Sequence, residues 1–235
     1  MTLKNKLNHL AGKFLLSPDA KAVQADHLTY LHVLKLRRLE RLARSAAEQA
    51  EGAYCEFGIA LGGSGILLAK HAQRNNRAFH GFDVFGMIPP PTSDKDGDDA
   101  KARFEIISTK KSKGLGGQEY YGYRDDLFDD VCNAFARHNV PVNDSSIQLH
   151  KGLFEDTLSD LPDFPIAFAH IDCDWYDPVK LCLEQTHARS TQGTIILLDD
   201  YHDYDGCKTA TQEFLAAHPE YELNTGPNVA LRRTA

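Results

Sequence analysis

Cysteine is scarce in this chain, and its pattern excludes two classes of protein. The 235 residues contain five cysteines, an odd number, at irregular spacing and without a CxxC pair. Small secreted proteins held by disulfides have even numbers of cysteines, and structural zinc sites have closely paired ones. The sequence therefore predicts reduced thiols, which are usual in cytoplasmic proteins.

Long apolar runs and an excess of positive charge are also missing. No stretch approaches the roughly 20 apolar residues that cross a bilayer, and the N-terminal residues lack the long apolar core of a secretory signal. The formal net charge is −7, whereas nucleic-acid-binding domains usually have a strongly basic face. We therefore expect a cytoplasmic protein that binds neither membranes nor nucleic acid.

Short apolar segments alternate with helical ones along most of the chain. This alternation is typical of an α/β fold in which helices cover both faces of a mostly parallel sheet. It predicts a single domain over residues 1–235, with an N-terminal helical segment at 1–51 that contains one long helix at 20–51. Further helices are predicted after the glycine-rich stretch up to residue 74, at 125–138 and at 179–189. Strands are predicted at 53–58, 78–83, 147–150, 166–172 and 194–199, with a closing hairpin at 221–224 and 228–232.

Residues 86–123 interrupt the alternation. Three consecutive prolines begin at Pro89, acidic residues follow, and the segment continues into SKGLGGQEYYGY. Irregular segments longer than about 12–15 residues are usually functional lids or disordered stretches. The sequence favours a lid that orders over a ligand, with disorder as the alternative.

A glycine-rich loop, EFGIALGGSG, directly follows the first predicted strand. It is not the GxGxxG fingerprint of dinucleotide-binding enzymes, which disfavours an NAD-dependent oxidoreductase. Glycines let a ligand approach the backbone, and the next helix presents free N–H groups to it. An acid at the end of the following strand can accept hydrogen bonds from a ribose. The pattern predicts an adenosyl ligand, with Glu56 suited to an amino group, held by Glu56, Gly58, Gly62, Ser64 and Asp83.

Carboxylates follow two other predicted strands. The segment HIDCDWYD contains Asp172, and LLDDYH contains Asp199 and Asp200. Ligand sites in open α/β sheets lie at the carboxyl ends of the strands, so these side chains should converge there. Carboxylate oxygens are ligands that Mg²⁺ prefers. The three aspartates therefore predict a site for Mg²⁺ or another divalent cation, with separate solvated helix caps as the alternative.

The segments YCEFGIALGGSG, GFDVFG, HKGLFEDTL, HIDCDWYD and LLDDYHDYDGC, in this order and spacing, resemble the macrocin O-methyltransferase family over about residues 50–220. The resemblance implies a Rossmann-like class I methyltransferase fold with a seven-stranded sheet. It also implies S-adenosylmethionine and Mg²⁺ as cofactors and a sugar hydroxyl as acceptor. By position, the loop from Glu56 to Ser64 would hold the methionine moiety, Asp83 the ribose, and Gly152 and Phe154 would lie near the adenine. Asp172 would contact both cofactor and metal.

The predicted chemistry is direct methyl transfer to a hydroxyl whose proton is taken by a base. Asp172 is predicted to be that base, with His202 and His170 as alternatives because a histidine pKa near neutrality suits proton transfer. Two other functions remain open from the sequence. One is a catechol- or caffeoyl-type O-methyltransferase acting on an aromatic diol, and the other is a non-enzymatic protein that binds an adenosyl ligand. A homodimer is expected because it is the commonest soluble assembly.

Overall fold

A computed structural model describes residues 15–143, 145–159 and 161–235. The predicted helical segment at 1–51 therefore lies partly outside the described residues. The strands are β1 (Ala53–Phe57), β2 (Phe79–Asp83), β3 (Ile147–Lys151), β4 (Ile166–Ile171), β5 (Ser190–Leu198), β6 (Tyr221–Asn224) and β7 (Val229–Arg233). The α-helices of the described ranges are α1 (Pro18–Ala25), α2 (Val33–Gln49), α3 (Gly63–Arg74), α4 (Asp98–Ser108), α5 (Leu127–Arg137), α6 (Phe154–Thr157), α7 (Tyr176–Ala188) and α8 (Asp205–Ala217).

The strands form one sheet in the order β3-β2-β1-β4-β5-β7-β6. Only β7 is antiparallel to its neighbours, β5 and β6, and the other pairings are parallel. The prediction of an α/β fold with a seven-stranded, mostly parallel sheet is thus confirmed. The chain builds outward from β1 to β3 and then returns to add β4 beside β1. A reversal of strand order of this kind opens a crevice at the carboxyl ends of the strands.

Helices cover both faces of the sheet because successive strand residues point to opposite sides. In β5, Ile195 and Leu197 join one buried cluster with α1, α2, α3 and α5. The intervening Ile196 and Leu198 join a second cluster with α7 and α8. The continuous apolar run of this strand therefore reflects burial on both faces, as expected for a central strand of a parallel sheet.

The prediction of one helix at 20–51 is wrong, because α1 and α2 are separated by non-helical residues 26–32. His27 has a left-handed φ of 56°, which ends the helical path. His32 then caps α2, and its Nδ1 accepts a hydrogen bond from the Leu34 N–H at 3.2 Å. The Leu28 carbonyl between the helices accepts from the Gly63 N–H at 2.9 Å. The spacing of the leucines suggested one helix because leucines between α1 and α2 also pack on the core.

Other boundaries also differ from the predictions. Strand β5 begins at Ser190 and ends at Leu198, so Asp199 follows the strand. Helix α7 begins at Tyr176 and includes Pro178 in its first turn, where the missing N–H has no helical acceptor. Helices α4, α6 and α8 were not predicted. All five cysteines are free of disulfides, and among the described residues no helix has the length and apolar composition to cross a membrane.

Candidate active site

A cavity of about 560 Å³ lies at the carboxyl ends of the parallel strands. Its volume is in the usual range for a small-molecule site. The walls come from the loops after five strands, from residues at the start of α2, and from the 86–123 segment. Seven predicted site residues line it: Gly58, Asp83, Gly152, Phe154, Asp172, Asp199 and Asp200.

Three other residues predicted to bind the cofactor do not line the cavity. Glu56 is completely buried, and its Oε1 accepts a hydrogen bond from His170 Nδ1 at 2.8 Å. Its Oε2 has no hydrogen-bond partner. Gly62 and Ser64 are also outside the cavity lining, and a Cβ added to Gly62 would lie 3.0 Å from the Phe135 ring. The structure therefore does not bring these three residues directly to the cavity.

The two histidines considered as bases are also outside the cavity lining. His202 is exposed, and its Nε2 donates to the Gly226 carbonyl at 3.1 Å. His170 is completely buried beside Glu56. The structure therefore places neither histidine at the surface of the cavity.

Gly58 brings the loop after β1 against the end of β4. Its φ is 98°, and an added Cβ would lie 1.9 Å from the carbonyl oxygen of Asp172. Glycine is therefore required both by the left-handed backbone and by the close approach. This contact places the glycine-rich loop beside Asp172.

Asp83 holds the same loop through backbone hydrogen bonds. Its Oδ2 accepts from the N–H groups of Ile59 at 2.8 Å and Ala60 at 2.9 Å, and its Oδ1 accepts from the Phe85 N–H at 2.6 Å. Burial raises the pKa of Asp83, although these amide donors oppose the rise. A carboxylate has about four acceptor positions, so Asp83 retains capacity for one hydrogen bond from a ligand.

Asp172, Asp199 and Asp200 converge at the floor of the cavity. The parallel pairing of Ile171 with Leu198 aligns the ends of β4 and β5, and one carboxylate oxygen of each aspartate lies within 4.8 Å of the others. Burial, and then the neighbouring aspartates, raise the pKa values of Asp172 and Asp200 well above the usual range. A divalent cation would relieve this repulsion, and the all-oxygen donor set fits Mg²⁺.

Lys35 of α2 is a member of the site that sequence analysis missed. Its Nζ donates to Asp199 Oδ2 at 2.7 Å and to Asp203 Oδ2 at 3.1 Å. Burial lowers the pKa of Lys35, but the Asp199 and Asp203 carboxylates raise it by more, so the lysine stays charged. Asn228 Nδ2 holds the other oxygen of Asp199 at 3.3 Å. The available signal was a lysine four residues before the buried Leu39, on the apolar stripe of the helix.

Asp174 is a second missed residue, and it lines the cavity next to the three aspartates. Its φ of 61° is left-handed, and its N–H donates to Asp200 Oδ2 at 3.1 Å. Burial raises the pKa of Asp174 to about 7, with Arg103 opposing the rise and Asp199 adding to it. The spacing of two residues from Asp172 in DCD was the available signal.

The 86–123 segment forms one wall of the cavity, to which Arg103, Tyr120 and Tyr121 contribute. Its first part is fixed to the residue that precedes α7, since Trp175 Nε1 donates to the Pro89 carbonyl at 2.9 Å. The Arg103 guanidinium lies 5.7 Å from the Tyr120 ring centroid. This wall is mostly apolar, with two tyrosines and one positive charge, whereas the floor is acidic.

Comparison with known proteins gives a family match and several structural neighbours. The family model of the macrocin-O-methyltransferases (TylF) matches residues 27–222. The O-methyltransferase NovP is 24% identical with a TM-score of 0.70, covering 88% of this chain and 83% of NovP. The calicheamicin methyltransferase CalS11 is 19% identical with a TM-score of 0.65, covering 99% of this chain and 93% of CalS11. Comparison with curated proteins gives no significant match.

A third neighbour was solved with a bound cofactor. The O-methyltransferase TomG from Streptomyces achromogenes, solved in complex with S-adenosylmethionine, is 14% identical with a TM-score of 0.62, and all of both chains is covered. These neighbours confirm the Rossmann-like methyltransferase fold. The matched region includes the glycine-rich loop and all three aspartates, and it extends the predicted resemblance to the residues before α2. The non-enzymatic alternative is thereby set aside, because the chain is an S-adenosylmethionine-dependent O-methyltransferase and belongs to the macrocin O-methyltransferase (TylF) family.

Proposed function

We propose that the protein methylates a hydroxyl of a sugar or sugar-containing small molecule, with Mg²⁺ or another divalent cation held by Asp172, Asp199 and Asp200. The convergence of these three carboxylates at the floor of the cavity carries the proposal. A sugar acceptor is supported by CalS11, which is a TDP-rhamnose 3'-O-methyltransferase.

The cofactor side of the cavity fits S-adenosylmethionine, which supplies the methyl group. Gly58, Gly152 and Phe154 line this side, and Asp83 has acceptor capacity for a ribose hydroxyl. The unpartnered Oε2 of Glu56 adds a buried acidic oxygen behind the loop. Negative charge there suits the positive sulfonium and amino groups of the cofactor.

On the metal side of the cavity, neighbouring residues orient the aspartates that would bind the cation. Lys35 and Asn228 each hold one oxygen of Asp199, and the Asp174 N–H holds Asp200. A divalent cation bound there would polarise acceptor oxygens and lower the pKa of the hydroxyl.

We assign the removal of the hydroxyl proton to Asp174 in place of Asp172. Asp172 is committed to the metal in this proposal, whereas Asp174 faces the same cavity and, in the described ranges, accepts no hydrogen bond through its carboxylate. Its left-handed backbone directs the residue out of the path of β4. The wall formed by the 86–123 segment would limit access of water to the acceptor.

An acceptor panel tests the substrate class. We expect turnover with neutral glycosides or nucleotide sugars, measured as S-adenosylhomocysteine formed, and kcat/KM at least about ten-fold lower with catechol and caffeate. Tyr120 and Tyr121 give the catechol alternative its support, because tyrosine rings in the wall would also stack an aromatic diol. Higher kcat/KM for the aromatic diols would replace the sugar assignment with that alternative.

Metal dependence is tested with the best acceptor of the panel. We expect treatment with a chelator to remove nearly all activity and addition of Mg²⁺ to restore it, because the acidic floor needs a cation to bind an acceptor oxygen. As a control, circular dichroism must show that the protein stays folded in the presence of the chelator. Full activity with the chelator present would disprove the role of the metal.

A further inference from the structure

A group of ionisable side chains lies far from the acidic floor, on the opposite edge of the sheet. His187 is in the last turn of α7, His218 follows α8, and Glu220 precedes β6. Helices α7 and α8 end where β5 and β6 begin, so this histidine–glutamate cluster lies at the amino ends of the strands. None of its three members lines the cavity.

The spacing of the donor atoms differs from that of a direct hydrogen bond. His187 Nδ1 lies 3.8 Å and His218 Nδ1 lies 3.6 Å from Glu220 Oε1. Hydrogen bonds between such groups are about 2.7–3.2 Å long. Two ligands of a tetrahedral zinc ion, each at 2.0–2.2 Å from it, are separated by roughly 3.3–3.6 Å. The distances between these nitrogen and oxygen atoms are thus close to the distances between ligand atoms that share one ion.

The surroundings of both histidines favour metal ligation. Ligating histidines usually present their second ring nitrogen to a carboxylate, and His218 Nε2 lies 3.5 Å from Glu184 Oε2. The Tyr221 hydroxyl lies 3.3 Å from His187 Nδ1 and 2.7 Å from Ser190 Oγ. Donation to Ser190 leaves the lone pair of the histidine nitrogen free for a metal. Burial, and then His218, lower the pKa of His187, so the neutral form that binds metals prevails at pH 7.

The cluster has an apolar floor and an open side. The Phe214 ring lies 4.4 Å from the His218 ring and 5.1 Å from the Tyr221 ring, centroid to centroid. The side chains of His187 and Glu220 are each 24% exposed. Solvent can therefore supply a water ligand. Two imidazoles and a carboxylate suit zinc better than magnesium, which prefers oxygen donors.

We propose that His187, His218 and Glu220 bind a zinc ion that fastens the ends of α7 and α8 to the start of β6. Such an ion adds a crosslink to three elements that are already joined by the Tyr221 N–H, which donates to the His218 carbonyl at 3.2 Å. Its effect is therefore on stability and not on methyl transfer.

The test uses the full chain carrying Asp172→Asn, so that the acidic floor competes less for the ion. This protein and Asp172→Asn/His218→Gln are equilibrated with zinc chloride, dialysed and analysed for zinc. We expect about one zinc per chain in the first and almost none in the second. Zinc at about 100 times its dissociation constant should raise the melting temperature of the first by roughly 5–10 °C and leave the second unchanged.

Two further variants complete the experiment. Glu220→Gln in the same background should also lose zinc, and it preserves shape if His218→Gln fails to fold. His202→Gln changes an exposed histidine outside the cluster and should retain zinc. Equal zinc content with and without the His218 and Glu220 substitutions, or no zinc in the Asp172→Asn protein, would overturn the proposal.

Discussion

Asp172→Asn is expected to reduce kcat on the order of 10³-fold while raising the melting temperature of the metal-free protein. A metal that polarises an acceptor oxygen contributes several kcal/mol to catalysis, and each 1.36 kcal/mol corresponds to a factor of ten in rate. Asparagine keeps the shape of the side chain but removes the charge that the metal needs. The loss should appear in single-turnover measurements of methyl transfer.

The gain in stability has an electrostatic cause. Burial and repulsion from Asp199 and Asp200 raise the pKa of Asp172, which means that its charged form is unfavourable in the folded protein. The neutral amide removes this repulsion, so the metal-free variant should melt at least about 2 °C above the parent. Adding Mg²⁺ should raise the melting temperature of the parent and have little effect on the variant.

A matched variant separates the site from a general loss of charge. Asp125 is an exposed aspartate outside the cavity, and Asp125→Asn should change neither kcat nor the response to Mg²⁺. Retention of more than a tenth of the parent activity by Asp172→Asn would be incompatible with its assignment as a metal ligand.

Gly58→Ala is expected to lower the free energy of unfolding by about 3–5 kcal/mol, which is at the severe end for a single substitution. The new Cβ would lie 1.9 Å from the Asp172 carbonyl oxygen, and the φ of 98° is strained for alanine. Relief requires the ends of β1 and β4 to move apart, which also displaces Asp172. The expected fall in melting temperature is roughly 10 °C, accompanied by weaker binding of S-adenosylhomocysteine.

Gly86→Ala is the control for this effect. Gly86 also lines the cavity, but an added Cβ there meets no atom within 4 Å. Its melting temperature should stay within about 2 °C of the parent. If Gly58→Ala were equally mild, the close approach of the loop to β4 would not be a constraint on the fold.

The predictable parts of the fold are those with a local pattern of apolar residues in the sequence. The strands showed as short apolar runs, and residues 195–198 before Asp199 are all apolar because both faces of this part of β5 are buried. Helix α8 was missed because its first turns, DGCKTAT, have small and polar residues and little apolar periodicity. The break at residues 26–32 was missed because a backbone reversal at His27 leaves no mark on the spacing of leucines.

The site residues likewise divide into those that a pattern in the sequence predicts and those that depend on packing. The parallel order of the strands brings their carboxyl ends together, so Asp172, Asp199 and Asp200 could be grouped from their positions after strands. Whether a residue of the glycine-rich loop faces the ligand or the core depends on packing, and only the structure places Gly58 at the cavity and Glu56 behind it. The roles of Asp174 and His202 likewise depend on side-chain direction, which spacing does not specify.

The sequence by itself determined the class of fold, the family and the three converging carboxylates, because each depends on order and spacing along the chain. Only the tertiary structure decided which charges meet. Lys35 and Asp199 are 164 residues apart in sequence, yet they form a buried ion pair at 2.7 Å. The histidine–glutamate cluster likewise joins the ends of two helices and the start of a strand. Contacts of this kind arise when elements pack, and no local pattern in the chain encodes them.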